Sequence, residues 1–187
     1  MKKIFVIITI LITSLILTSC STQEDVSLGY IQNSRIVPNS SILISPFDVE
    51  NQELQTILTQ DFFYSLVKRN SFKIFLSNKK IDSNIDEIKS LNSKYDYVII
   101  TKILRYDIKD FRPIFFIDMT VYNTFDGSVA WKIRYQFYWN DPQTEKFVSD
   151  SLGKNYNFER FYNSKESIRE FADIILEAIS YNISKIK

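Results

Sequence analysis

Four aspartates, Asp107, Asp110, Asp118 and Asp126, are the side chains of this sequence best placed to do chemistry. They fall near strand ends and turns, where a pair of carboxylates can act as general acid and base. A plainer reading competes and is the stronger. Asp126 precedes Gly127 in a turn, where Asp is favoured because its side chain bonds nearby backbone, and Asp118 lies on the polar face of its strand. There is no histidine, and the single cysteine is Cys20. These two facts remove a Ser-His-Asp triad, a Cys-His pair, a His-ligated metal and any intrachain disulfide. Carboxylate, Lys, Tyr or Ser chemistry remains. We assign no catalytic residue, expect no metal and no cofactor, and expect the chain not to be an enzyme.

With 187 residues, 45% of them hydrophobic and 15% aromatic, the chain suits one domain with a substantial core. Its 23 basic and 22 acidic residues leave no charged field to recruit nucleic acid.

Met1-Lys2-Lys3 is a basic start, and Ile4 to Leu17 is an apolar run relieved by Thr9, Thr13 and Ser14. The run is short for a spanning helix, which needs roughly 20 apolar residues, but has the proportions of a signal-peptide core. Its end, Leu17-Thr18-Ser19-Cys20, resembles the lipobox of bacterial lipoproteins, in which the cysteine is acylated and becomes the first residue of the mature chain. An ordinary secretory signal with a chance cysteine is the alternative. The resemblance implies a cleaved signal at 1–19, a lipidated tether at 20–41 and a periplasmic domain at 42–187, with the membrane engaged through acylated Cys20. Stable anchoring takes more than one acyl chain, which a triacylated cysteine supplies. Ser21, where an Asp would favour inner-membrane retention, points by the same resemblance to the periplasmic face of the outer membrane rather than the inner.

The elements that position these residues are legible from periodicity. Val129, Trp131, Ile133, Tyr135, Phe137 and Trp139 alternate with polar residues, as do Ile117, Met119 and Val121. The Asp126-Gly127 turn between the two runs predicts a long antiparallel hairpin within Ile114–Trp139. Upstream, Ile42–Phe47 predicts a strand and Glu53–Asn70 a helix capped by Asn51. Phe72–Leu76 predicts a second strand, Ile85, Ile88 and Leu91 a short helix capped by Asp82, and Tyr97–Tyr106 a buried strand. Pro142–Tyr162 has no clear pattern. Ile168, Phe171, Ala172, Ile175, Ile179, Ile183 and Ile186 form the stripe of a C-terminal amphipathic helix, with an N-cap expected within Asn163–Glu166. The order predicts a single α/β (α+β) domain. Its mixed sheet of about five strands comprises parallel β-α-β units and then an antiparallel meander, packed with helices. Leu28, Tyr30, Ile36 and Val37 offer a short edge strand as an alternative to tether.

Trp131, Tyr135, Phe137 and Trp139 read as core beneath the helices rather than as a ligand groove. Tyr106, Phe111, Phe115, Phe116 and Tyr138 are harder to bury together and form a candidate partner surface.

Several segments resemble the periplasmic lipoprotein group that includes the TolB N-terminal domain, CsgG and LpoB. These are Ile42-Leu43-Ile44-Ser45-Pro46-Phe47, the helix from Glu53 leading to Phe72-Lys73-Ile74, Tyr95-Asp96-Tyr97-Val98-Ile99, and Thr124-Phe125-Asp126-Gly127-Ser128-Val129-Ala130-Trp131. The resemblance implies an anticodon-binding-domain-like fold and a non-enzymatic adaptor or accessory role with an envelope protein as partner. The sequence departs from that group at Ser93-Lys94-Tyr95 and lacks the insertions that build the CsgG barrel. Auxiliary lipoproteins of lipid ABC transporters have a similar layout, which leaves lipid handling as the rival.

Overall fold

The computed structural model describes residues 30–32, 36–109, 112–153 and 165–185. The signal segment, Leu17, Thr18, Ser19, Cys20, Asp110, Phe111, Ile186 and the predicted cap residues Asn163 and Ser164 lie outside the described residues. In chain order the elements are β1 (Tyr30–Gln32), β2 (Ser41–Ile44), α1 (Gln52–Arg69), β3 (Lys73–Leu76), α2 (Ile85–Ser90), β4 (Tyr97–Lys109), β5 (Arg112–Asn123), β6 (Val129–Tyr138), α3 (Pro142–Leu152) and α4 (Lys165–Lys185).

Six strands form one sheet in the order β1-β6-β5-β4-β2-β3. β2 runs parallel to both β3 and β4, while β4, β5 and β6 form the expected antiparallel meander. The mixed α/β class is thus as the pattern predicts. The additional strand is β1, which pairs antiparallel with Ile133–Trp131 of β6. With Ile36 fully buried, the domain begins well before Ile42, and much of the segment expected as tether is part of the fold.

Alternation along each strand divides the apolar residues between the two faces. Ile42 and Ile44 of β2, Ile99 and Ile103 of β4, Ile117, Met119 and Val121 of β5, and Trp131, Ile133 and Phe137 of β6 enter the main core. α1, α3 and α4 cover it with Leu58, Phe62, Leu66, Phe147, Val148 and the Phe171-Ile175-Ile179-Ile183 stripe. Leu43 and Val98, one residue out of phase, meet Ile81 and Ile88 of the α2 region in a smaller core on the opposite face. The register shifts between Val121 and Tyr122, setting Val129 opposite Tyr122, so Val129 departs from the apolar face it was expected to join.

Asn51 accepts from the Leu54 amide and starts α1, and Asn70 ends it in the left-handed region at φ 52°. α2 starts at Ile85, the first residue of its predicted spacing, and is capped by Asn84, not Asp82. α3, which periodicity left unassigned, is bounded by local chemistry. Asp141 accepts from the Thr144 amide, Pro142 opens the first turn, and Gly153 closes the helix at φ 65°. Among the described residues no helix is long and apolar enough to cross a membrane.

Candidate functional site

The helices leave the other face of β4–β6 open beside α2, and a cleft of about 300 Å³ lies there. Its floor is Ile100 and Lys102 of β4, Asp118, Thr120 and Tyr122 of β5, and Lys132 of β6. Its wall is Ser45, Pro46 and Asp48 after β2 together with Lys80–Ser83. The wall is pinned twice. The Ser45 hydroxyl accepts from the Ile81 amide at 3.0 Å, and Lys80 pairs with Asp48 at 2.8 Å. On the floor, the Asp118 carboxylate is 3.4 Å from Lys132 Nζ and 3.7 Å from Arg134 Nε. Lys102 sits directly opposite Asp118 in register. Hydroxyls and balanced ion pairs make this cleft suited to polar groups and a poor host for an acyl chain.

The carboxylates singled out from the sequence do not converge. Asp107 pairs with Arg105 at 2.8 Å, and Asp118 belongs to the cleft floor. Asp126 accepts from the Ser128 amide at 2.9 Å in the β5–β6 turn. Ser128, through its side chain and then its amide, holds the Asp126 carboxyl below the usual carboxylate range. Among the described residues no group of three or more His, Cys, Asp or Glu side chains is arranged to hold a metal.

The expected aromatic surface divides by strand parity. Phe115 is fully buried, which removes it from any docking surface. Tyr106 stacks edge-on against it, centroids 6.1 Å apart, and is half-buried with it. Phe116 faces the open side, with the Arg134 guanidinium 5.9 Å from its ring centroid, and Tyr138 is half-exposed opposite Ile114. Consecutive strand residues must face opposite ways, so Phe115 and Phe116 could not have shared one patch. Among the described residues the most exposed aromatic is Phe125, 77% exposed at the hairpin tip, where only its turn context signals exposure.

A second polar cluster, which periodicity did not reveal, sits where α1 meets α4. Asp61 Oδ2 and Asp173 Oδ1 are buried oxygens without a hydrogen-bond donor, and Arg169 reaches Asp61 only at 3.7 Å. Burial first, and then the charge of the nearby Asp61, push the Asp173 carboxyl up to about 7. Burial and then the Asp173 charge push the neighbouring Tyr106 hydroxyl up to about 12.

The fold and this open-faced site define a single-domain α/β protein whose mixed sheet is covered by α1, α3 and α4 on one side and only in part, by α2, on the other. No family profile matches the chain, and no curated protein does. Solved structures do share the fold. A PelC dodecamer from Paraburkholderia phytofirmans superposes with a TM-score of 0.53 at 8% identity, over 81% of this chain and 96% of that one. A second PelC dodecamer structure from the same organism gives 0.48 at 10% identity, over 81% and 97%. Lipoprotein GNA1162 from Neisseria meningitidis gives 0.44 at 12% identity, over 61% and 94%.

Proposed function

We propose that this chain is a lipid-anchored periplasmic protein, held to the outer membrane through acylated Cys20, that serves without catalysis as an adaptor or accessory subunit of an envelope assembly or export system. The observation that carries this reading is Leu17-Thr18-Ser19-Cys20, closing an apolar run only ten positions before the first strand at Tyr30. The engagement of Asp107, Asp118 and Asp126 in ion pairs and a turn supports a non-enzymatic role. The polar lining of the cleft favours the adaptor over a lipid-handling accessory of a transporter.

The test is intact-cell photo-crosslinking from Phe125 and Phe75, exposed to 77% and 43% respectively. One dominant envelope protein is expected from one of these sites; capture of none from either overturns the adaptor. Copurifying lipid in native mass spectra would favour the transporter accessory instead. A second reading makes the partner a copy of this chain. It is favoured by the dodecameric state of the PelC structure that superposes with a TM-score of 0.53 and by the outer edge of β3, which no strand among the described residues covers. Mass measurement of the detergent-extracted protein decides between monomer and ring.

A further inference from the structure

Cations gather on the open face of the sheet, two of them on β6, the strand that β1 borders. Over the open face of β4–β6, Lys102, Arg105, Lys132 and Arg134 stand against Asp107 and Asp118. Arg105 is taken up by Asp107, and Asp118 alone answers both Lys132 and Arg134. Lys102 has no ion-pair partner among the described residues, so these strand residues number four basic against two acidic, with Asp82 of the cleft wall beside them. The opposite side differs, because α3 exposes Glu145 and Asp150 against Lys146. Phe116 and Tyr138 border the cationic strip and present half-buried rings of the kind that settle at a membrane interface.

The point of entry is fixed by β1, which is hydrogen-bonded along Trp131–Ile133 of β6. Cys20 and Tyr30 are ten positions apart, a reach of roughly 35 Å when fully extended. A domain of this size is about as wide as that, with a radius of gyration near ~15 Å. An acyl anchor at Cys20 would therefore keep the β6 edge within about one domain width of the headgroups. A tether of that reach lets the open face touch the headgroups, and anionic lipid then attracts its Lys and Arg within a Debye length, about 8–10 Å at physiological salt.

We propose that the open face of β4–β6 docks on an anionic phospholipid surface, with Lys102, Lys132 and Arg134 toward the headgroup phosphates and Phe116 and Tyr138 at the interface. This rests on the lipid-anchor reading above, which supplies the closeness that a weak electrostatic contact needs. Asp118 limits the contact by neutralising its neighbours.

The test uses the chain from Ser21 on, which contains every described residue, sedimented with vesicles of phosphatidylcholine alone or mixed with phosphatidylglycerol. Several-fold more protein should sediment with the anionic vesicles at low salt, and about 0.5 M salt should abolish the difference. The triple variant K102E, K132E, R134E should lose the preference with its circular dichroism unchanged, while Lys146→Glu on α3 should keep it. Asp118→Asn should raise binding about twofold or more, and only to the anionic vesicles, a gain that misfolding would not confine to them. Equal sedimentation with both vesicle types, or an unaltered triple variant, overturns the proposal. Acylation of Cys20 is read separately from the intact mass of the chain made in a diderm bacterium. An unmodified cysteine would sink the anchor reading and leave the vesicle result standing.

Discussion

Phe115 and Phe116 are neighbours on β5 that serve opposite sides of the sheet. The first is fully buried against Tyr106, and the second lies beneath the Arg134 guanidinium on the open face. Their substitutions should differ accordingly. Phe115→Ala removes a filled core volume and should cost about 3–5 kcal/mol, whereas Phe116→Ala should cost less than about 1 kcal/mol. Paired urea titrations measure both. Equal losses would mean that Phe116 is core and that the open face is misassigned.

Gly127 should not tolerate a side chain. Its φ is 75°, and a Cβ there would lie 2.8 Å from Ile85 Cγ2, so the left-handed backbone and α2 both oppose it. Gly127→Ala should cost about 1–2 kcal/mol. Pairing it with Ile85→Ala, which removes the clash but not the strain, should recover part of that loss. A fully additive double variant in thermal melts would show that the contact with Ile85 is not the cause.

The contrast between these positions explains how much could be read from sequence. A continuous apolar run located β4, while period-two alternation located β5 and β6 and the i, i+3, i+4 stripe located α4, because one face of each is the more deeply buried. It failed where burial is not one-sided. The single-residue shift at Ala130 reversed Val129 without any change in composition. α3 buries Thr144, Phe147, Val148 and Ser151 at helical spacing, but Thr144 and Ser151 are polar, so no apolar stripe stood out, yet the Asp141-Pro142 start and the Gly153 stop were present as cap signals. β1 is three residues long, too short for a clear pattern, and was legible only as the short edge strand that Tyr30 offered as an alternative to tether. The cleft was illegible because its charged residues come from distant segments and meet only through register. Asp61 and Asp173 were hidden because each is a single polar residue in a helical stripe.

Thr124 is a residue of the hairpin motif whose role is to hold the fold. It is fully buried, and its hydroxyl donates to the Tyr95 carbonyl at 2.5 Å, while its amide donates to the Asp96 carbonyl at 3.0 Å. Asp96 in turn accepts from the Ser41 amide at 2.7 Å. The hairpin is thereby tied to the start of β4 and onward to β2. Thr124→Val keeps the shape and leaves the Tyr95 carbonyl short of a donor, which should cost about 1–3 kcal/mol. Thr124→Ser should cost less than Val. The reverse order in urea melts would assign the loss to packing of the methyl group rather than to the hydrogen bond.

Asp173 should make this protein less stable as pH rises toward neutrality. Burial and the proximity of Asp61 raise its carboxyl to about 7 in the folded chain, against about 3.9 for an unfolded aspartate. Between those values the folded state binds more protons than the unfolded state, so stability falls with rising pH. The contribution is complete below about pH 4 and is lost as pH passes through about 7. Arg169, 3.7 Å from Asp61, offsets part of the repulsion, while Glu170 adds to it and Tyr106 stays neutral throughout. Asp173→Asn should therefore melt higher than the parent chain at pH 8, with a difference that shrinks or reverses by pH 4. Arg169→Gln should act in the other direction at pH 8, lowering the melting temperature by removing the cation that faces the pair. If the parent and Asp173→Asn melting curves keep a constant separation from pH 4 to pH 8, the two carboxyls do not share the proton that this interface implies.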